Sequence, residues 1–158
     1  MANAILSGVA QGLQPLLGNC YGEQDTDGRS EYFRWEIRIN TVLSAAIYGL
    51  LFFFTESVIR IFNQDSELVQ NSSTALPLFS LSFIPMALNL ICTAFLYPAK
   101  QTLYADAISC SRGVVLKAAA IFCLPMLLGG DTIWLAPLAV EMLTLVLALA
   151  LSKTSKFA

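Results

Sequence analysis

Histidine is absent from this 158-residue chain, and charged residues make up only 13% of it. Without an imidazole the chain has no Ser-His or Cys-His nucleophile pair, no two-histidine metalloprotease motif and no Cys₂His₂ zinc finger. A soluble domain carries about 25% charged residues. The low charge, together with 56% hydrophobic residues, indicates a protein whose solvent is lipid.

Basic residues are too few for a nucleic-acid-binding surface. The net charge is -2, which offers no polycation to neutralise a phosphate backbone, so no nucleic-acid partner is expected. The cysteines show no Cys-x-x-Cys spacing, and we predict that they are free, buried and behave as small hydrophobes: Cys20, Cys92, Cys110 and Cys123. Neither a metal site nor another cofactor is predicted.

Five long stretches with few charges are typical of membrane-spanning helices, since about 20 apolar residues cover a hydrocarbon layer roughly 30 Å thick. Their approximate bounds are 1–22, 37–56, 74–97, 110–130 and 132–152. The predicted fold class is therefore all-α, a polytopic transmembrane helix bundle of five helices that occupies 1–158 as one domain.

The basic residues predict the orientation of this bundle. Five crossings place the loops alternately on two sides, and Arg60 alone lies on one of them while the other eight Lys and Arg residues lie on the opposite side. By the positive-inside rule that opposite side is cytoplasmic, and so is the carboxyl terminus. The chain is thus expected to be a multi-pass protein of a plasma membrane or bacterial inner membrane, with the lipid bilayer around it.

Small residues and prolines recur inside the predicted helices. Gly8 with Gly12, and Gly18 with Gly22, form Gly-x-x-x-Gly pairs that permit close packing of a neighbouring helix. Prolines remove main-chain hydrogen bonds, so kinks or local unwinding are predicted in four helices, at Pro15, Pro77, Pro85, Pro125 and Pro137. Kinked helices suit a bundle that bends around a passing solute, and kinking without transport is the alternative.

Glu141 is the strongest functional candidate, because it lies near the middle of the last predicted helix. An ionised acid at that depth costs about 3 kcal/mol on insertion scales. Glu141 is a possible proton site with Asn89 and Thr93 as polar neighbours, or else it joins two helices through a hydrogen bond. Arg112 is interpreted as an ordinary basic residue at a cytoplasmic helix end, and facing an inner vestibule is its alternative.

The amides of the first predicted helix and the charged residues at the start of the second have different interpretations. Gln11 and Gln14 are amides in a segment otherwise suited to lipid, a cost usually met by neighbouring helices or a water-filled cavity. If such partners are missing, both amides and Glu141 are expected to face lipid. The charged residues before the second helix are interpreted as a solvated face with i, i+3 pairing: Glu31, Arg34, Glu36 and Arg38.

Four motifs follow one another in a characteristic order: GLQPLLGNCYG at 12–22, IRIFNQD at 59–65, LPMLLG at 124–129 and IWLAP at 133–137. In this order, over about 5–152, the chain closely resembles the carboxyl-terminal half of multidrug and toxic compound extrusion (MATE) transporters. The resemblance implies a secondary-active antiporter, not an enzyme. Such a protein exports organic, often cationic drugs or metabolites in exchange for protons or sodium.

The same resemblance implies two six-helix lobes around a central cavity. The chain then corresponds to the last five of twelve helices, a partial second lobe that needs the amino-terminal lobe in cis or in trans. On this mapping the substrate cavity is lined by Gln11, Gln14, Asn89 and Thr93. Because the helix at 74–97 carries no Asp or Glu, Glu141 is the candidate proton site.

Two alternatives to a drug antiporter stay open. One is a non-transporting, truncated membrane fragment that associates with other helices through its Gly-x-x-x-Gly faces. The other is a related lipid-linked sugar flippase, which predicts a more basic cavity than these residues provide. An intramembrane enzyme is disfavoured, because the sequence shows neither histidine nor paired intramembrane acids.

Overall fold

The computed structural model describes residues 2–62 and 64–154. In chain order its helices are α1 Ala2–Gly22, α2 Thr26–Phe53, α3 Thr55–Phe62, α4 Ser66–Ser80, α5 Phe83–Leu96, α6 Thr102–Cys110, α7 Leu116–Leu128 and α8 Ala136–Thr154. A π-helical turn, Ser111–Val115, joins α6 to α7, and a 3₁₀ segment, Gly130–Leu135, precedes α8. These residues contain no strand, so the predicted all-α fold is confirmed.

Aspartates set the starts of two helices. Oδ1 of Asp25 accepts a hydrogen bond from the Gly28 amide at 2.9 Å and caps α2. Oδ1 of Asp65 accepts one from the Glu67 amide at 3.0 Å and caps α4. A helix start leaves amides without partners, and each carboxylate satisfies one of them. The cap at Asp25 explains why α2 begins well before the predicted position 37.

Pro85 accounts for the interruption between α4 and α5. It has no N–H to donate to the carbonyl of Leu81, and its ring crowds that carbonyl. The helix is broken at Leu81 and Ser82, where the Ser82 hydroxyl donates to the carbonyl of Phe79 at 2.7 Å. At the other predicted positions the helix is not broken. Helices continue through three of these prolines, and the fourth lies in the first turn of α8: Pro15, Pro77, Pro125 and Pro137.

The central helix of the bundle is α5. It packs against α1, α2, α6 and α8, and more than half of its residues are buried. Leu6 of α1 forms a core cluster with Met86 and Ala87, against which Leu43 and Ile47 of α2 pack. A second cluster contains residues of α5, α6 and α8: Leu96, Ala105, Ile108 and Ala148. Polar side chains on α5 are therefore held at fixed positions relative to several other helices.

Large apolar side chains cover the outside of the bundle, among them Val42 and Phe53 on α2 and Phe122 on α7. Three helical stretches are long and apolar enough to cross a membrane, namely Thr26–Phe53, Ser66–Leu96 and Thr102–Met126; a shorter apolar helix, Thr132–Ala148, follows. The chain is therefore a membrane protein of helical type. Helix α1 is not among the three, so the predicted total of five crossings stays a prediction.

Two cysteines differ from expectation. The thiols are free, as predicted, and Cys20 and Cys92 lie inside or partly inside the bundle. Cys110 and Cys123 are exposed, because α6 and α7 pack on the bundle through their other sides. The prediction of four buried cysteines is therefore wrong for these two.

Tyr97 closes the turn between α5 and α6. Its hydroxyl donates to Oδ1 of Asp106 at 2.9 Å, and Lys100 in the same turn adopts a left-handed φ of 59°. The carboxylate of Asp106 holds the phenolic proton in place, which raises the pKa of Tyr97 above its usual value.

Candidate functional site

The centre of the candidate site is Asn89 of α5, whose side chain is fully buried. A buried amide requires hydrogen-bond partners within the protein. Nδ2 of Asn89 donates to the main-chain oxygen of Glu141 and to Oε2 of the same residue, both at 2.8 Å. One amide group thus joins α5 to α8 through the main chain and the carboxyl group together. The predicted proximity of Asn89 and Glu141 is present in the structure.

The carboxyl group of Glu141 has a second polar neighbour, Arg112. Its Nη1 lies 3.7 Å from Oε2 of Glu141, and the two side chains are 21% and 7% exposed. This distance permits an ion pair but is too long for a hydrogen bond. Arg112 belongs to the π-helical turn, an irregularity that shifts side-chain directions and occurs often at functional sites. The structure favours an inward-facing Arg112 over the interpretation of an ordinary basic residue at a helix end.

Together these three residues form the Asn89–Glu141–Arg112 cluster, which places an acid, an amide and a permanent cation inside an apolar bundle. Asn89 and Arg112 thus place a hydrogen-bond donor and a positive charge beside the same carboxyl group. Arg112 is the more distant of the two. Its Nη1 is buried without a hydrogen-bond partner in the described part of the chain, so it can donate to a further acceptor.

Buried threonines lie next to the cluster on both helices. The Thr93 hydroxyl donates to the carbonyl of Asn89, and the Thr144 hydroxyl donates to the carbonyl of Val140 at 2.8 Å. Each hydroxyl uses its proton within its own helix, which leaves oxygen lone pairs able to accept. Thr93 is therefore close to Asn89, as predicted, and contributes acceptor capacity beside the cluster.

Gln11 and Gln14 lie on α1 away from this cluster, and no hydrogen bond among the described residues joins them to it. Gln11 is exposed and Gln14 is half-buried. The expectation that Glu141 also faces lipid is wrong, since it is only 5% exposed and paired with α5. The structure therefore brings together three of the predicted site residues, Asn89, Thr93 and Glu141, and leaves the two glutamines apart.

One side of α1 is uncovered and carries mostly small or polar residues, with the exposed apolar side chains Ile5 and Leu16 at its edge. Helix α1 buries Leu6, Ala10, Leu17 and Cys20 on its other side. We name the uncovered side the open face of α1; it comprises Gly8, Gln11, Gly12, Pro15, Gly18, Asn19 and Gly22. A Cβ atom added at any of these four glycines would meet no atom within 4 Å. The helix packing predicted from the Gly-x-x-x-Gly pairs is thus not made within the described chain.

A second buried polar group was not predicted. Glu36 is 2% exposed, and Asn40 and Ser44 are fully buried; we name these three residues the polar stripe of α2. They follow one another at four-residue intervals, which places them on one face of the helix. The interpretation of Glu36 as part of a solvated face is therefore wrong, although Arg34 and Arg38 are exposed as expected. The four-residue repeat that continues from Glu36 into the apolar second half of α2 is the signal that identifies the stripe.

Among the described residues, neither a metal-binding group nor a surface groove includes the predicted cavity residues. The described residues contain no group of three or more His, Cys, Asp or Glu side chains that could hold a metal ion. An apolar groove lies between α3 and α4, where its walls include Val58, Leu76, Phe79 and Trp134. The predicted cavity residues do not line this groove, so the candidate site is the Asn89–Glu141–Arg112 cluster.

Comparison with known proteins gives one match. The family model named MatE matches residues 1–129, a region that includes α1 to α7. No curated protein and no solved structure gives a match to the chain. Glu141 and the rest of α8 lie beyond the matched residues.

Proposed function

We propose, since the chain belongs to the MatE family of membrane transporters, that it forms part of a secondary-active antiporter. This antiporter exports organic, often cationic compounds and takes up protons or sodium ions in exchange. The supporting observation is the Asn89–Glu141–Arg112 cluster, because a buried acid between an amide and a guanidinium is expensive in a membrane helix and is typical of ion pathways. An enzymatic role does not fit a family of transporters.

Within such an antiporter we place the chain in the carboxyl-terminal lobe, as the last five of twelve helices. The order of its four sequence motifs supports this placement. The remaining helices are supplied in cis or in trans. The distribution of basic residues supports a cytoplasmic carboxyl terminus.

The substrate cavity lies, in this proposal, beside the open face of α1. Other helices present large apolar side chains outwards, as Val42 and Phe122 do, and those faces suit lipid. The open face instead carries glycines and amides, which suit water or a closely packed helix. Gln11 and Gln14 on α1 contribute to this cavity wall, whereas Asn89 and Thr93 are buried on α5, within and beside the Asn89–Glu141–Arg112 cluster.

Glu141 is the proposed proton site. Its carboxyl group contacts α5 through Asn89 and the π-helical turn through Arg112. A change of charge at Glu141 alters its attraction to Arg112, and thereby the packing of α8 against α5 and the turn. This gives proton exchange a direct mechanical effect on the bundle.

Efflux of a fluorescent organic cation from proteoliposomes tests the proposal. The chain alone is compared with the chain joined to an upstream seven-helix portion of a MatE transporter. Both are measured under an imposed proton or sodium gradient. We expect gradient-driven efflux only in the joined form. Efflux by neither form would contradict transport and favour a fragment that only associates with other helices through the open face of α1.

Two substitutions in the joined protein then distinguish the effect of removing Glu141 from the effect of removing an exposed acid. Glu141→Gln keeps the size of the side chain but cannot exchange a proton, so we expect gradient-driven efflux to fall at least about tenfold. Glu67→Gln changes an exposed acid in the first turn of α4 and is expected to leave efflux unchanged. Equal rates for the two variants would exclude Glu141 as the proton site.

A further inference from the structure

The apolar groove between α3 and α4 is a surface feature that the Asn89–Glu141–Arg112 cluster does not use. Its volume is about 330 Å³, and we name it the α3–α4 groove. The described residues that line it are apolar except for Ser72 and the indole nitrogen of Trp134. Such a concave surface offers few hydrogen bonds to water, so it favours an occupant with a hydrocarbon surface.

The wall formed by α4 has the depth of one bilayer leaflet. Its residues recur at three- and four-residue intervals, so they lie on one face of the helix: Leu68, Ser72, Ala75, Leu76 and Phe79. From Leu68 to Phe79, a rise of about 1.5 Å per residue gives roughly 16 Å. The hydrocarbon core of a bilayer is about 30 Å thick, and half of it is about 15 Å. The α3–α4 groove therefore has the length of a single layer of acyl chains.

The position of the groove along the membrane span agrees with this length. The groove follows the first half of Ser66–Leu96, a stretch that is long and apolar enough to cross a membrane. This stretch begins beside polar residues, since Asp65 caps α4 and Glu67 lies in its first turn. Phe79 lies near the middle of the stretch, where α4 ends. The groove thus runs from the membrane surface towards the midplane, as an acyl chain does.

Helix α3 forms the opposite wall and has two unlike sides. Val58, Ile59 and Phe62 line the groove, whereas Glu56 and Arg60 form an exposed ion pair at 2.7 Å. A helix with this polarity lies along the membrane surface, with its charges towards the headgroups and its apolar side towards hydrocarbon. The α3–α4 groove therefore opens on the hydrocarbon side of α3.

Charges at the polar end of the groove favour one type of headgroup. From α3 to the first turn of α4, the acids Glu56, Asp65 and Glu67 outnumber Arg60, and Arg60 is already paired with Glu56. An anionic headgroup would meet an excess of negative charge there. The ammonium group of a zwitterionic phospholipid would instead be attracted.

From the length, position and charge of this surface we infer that the α3–α4 groove binds one acyl chain of a zwitterionic phospholipid. The headgroup lies beside the first turn of α4. Elsewhere the bundle presents single exposed side chains such as Phe122 to lipid, which gives no enclosure. In the groove, α3, α4 and Trp134 bound the acyl chain together, so this lipid is retained and selected by its headgroup. The inference does not depend on transport.

Tryptophan fluorescence tests this site, because Trp134 lines the groove whereas Trp35, the other tryptophan, lies 51% exposed on α2. Trp35→Phe and Trp134→Phe each leave one tryptophan. Both proteins are placed in phosphatidylglycerol vesicles that contain increasing fractions of phosphatidylcholine brominated on its upper acyl carbons, since bromine quenches tryptophan on contact. We expect half-maximal quenching of Trp134 at an at least about threefold lower fraction of brominated lipid than for Trp35. With brominated phosphatidylglycerol in phosphatidylcholine vesicles, Trp134 should lose this advantage.

Two neighbouring serines provide a matched pair of variants in the Trp35→Phe protein. Both are half-buried, but Ser72 lines the groove and Ser73 is not among its lining residues. Ser72→Phe fills the groove, so we expect the preference of Trp134 for brominated phosphatidylcholine to disappear. Ser73→Phe is expected to keep it. Ala75→Leu, at another lining position, carries the comparison if circular dichroism shows that Ser72→Phe does not fold.

Four results would overturn the inference. Equal quenching curves for Trp134 and Trp35 would leave only unselective bilayer lipid at this surface. Weaker quenching of Trp134 that depends on the ratio of protein to lipid would assign the groove to a second copy of the chain. Loss of the preference in the chain joined to the upstream seven-helix portion would assign it to another helix. A full preference in both Ser72→Phe and Ala75→Leu would place the lipid elsewhere.

Discussion

The amide side chain of Asn89 connects α5 to α8 at shorter distances than the ion pair at the same carboxyl group. Asn89 binds both the main chain and the side chain of Glu141 at 2.8 Å, whereas Arg112 approaches the same carboxyl group only to 3.7 Å. A hydrogen bond contributes about 0.5–1.5 kcal/mol between neutral groups and about 1.5–3 kcal/mol to a charged group. At the scale of the residue, Asn89 supplies polar contacts that hold α8 against α5, beside the apolar cluster that contains Leu96 and Ala148.

Substitution of Asn89 by leucine tests this role. The variant keeps the branched shape of the side chain but removes both hydrogen bonds, so we expect the free energy of unfolding to fall by about 2–3 kcal/mol. Denaturant unfolding in detergent micelles, followed by circular dichroism, measures the change. Asn19→Leu, at an exposed position of α1, is the control and should change the value by less than about 0.5 kcal/mol. Similar losses in both variants would show that the hydrogen bonds do not hold α8 in place.

Sequence reasoning identified some of these residues and missed others for a physical reason. Glu141, Asn89 and Thr93 could be predicted, because polar groups in the middle of apolar helices need partners and few were available. Glu36 was interpreted as solvated, because it lies among charged residues that pair at i, i+3. Its burial depends on which side of α2 faces α1 and α5, and that contact is determined by residues elsewhere in the chain.

At the scale of the helix, the glycines of this chain have two opposite environments. In α1 the space beside Gly12 is empty, with no atom within 4 Å of an added Cβ. In the first turn of α2 an added Cβ at Gly28 would collide with the capping carboxylate of Asp25. The same substitution is therefore expected to have opposite effects at the two positions.

Gly12→Ala is expected to raise the free energy of unfolding of the isolated chain by about 0.5–1 kcal/mol, because alanine loses less conformational entropy inside a helix. Gly28→Ala is expected to lower it by about 1 kcal/mol through disruption of the Asp25 cap. Thermal unfolding of both variants measures the difference. Destabilisation by Gly12→Ala in the isolated chain would mean that the open face of α1 is already occupied, for example by a second copy.

Helix existence could be predicted from the charge-free stretches, but helix ends could not. The start of α2 depends on Asp25, a local cap in a polar segment that hydropathy ignores. The break at Ser82 follows from Pro85, whereas Pro15 and Pro77 lie in helices that continue. Proline identity alone does not distinguish these cases, because the outcome depends on whether surrounding side chains satisfy the freed carbonyl.

At the scale of the whole molecule, the orientation proposed from the basic residues can be tested by labelling. Single cysteines at Gln24, between α1 and α2, and at Gln64, between α3 and α4, are introduced into a variant without the four native cysteines. Because α2 separates the two positions, we expect an impermeant maleimide to label Gln64→Cys from outside intact cells. Gln24→Cys should react only after the membrane is permeabilised.

Labelling of both positions from outside would contradict a crossing by α2, and the reverse pattern would invert the orientation.

The all-α class and the family could be predicted from composition and motif order. The arrangement of the helices could not, since a stretch that is apolar on all sides does not reveal which side meets a neighbour. The polar residues on α1, α2, α5 and α8 distinguish inside from outside, and Glu36 on α2 was misinterpreted.

The hydrogen bonds between Asn89 and Glu141 join positions 52 residues apart, and this separation has a consequence for biosynthesis. At about 5–20 residues per second, the ribosome adds Glu141 roughly 3–10 seconds after Asn89. During that interval α5 has entered the membrane with its central amide lacking the helix that satisfies it. The nascent chain thus offers an unpaired polar group to the insertion machinery or to water until α8 emerges. Final assembly of the bundle must therefore wait for its last helix.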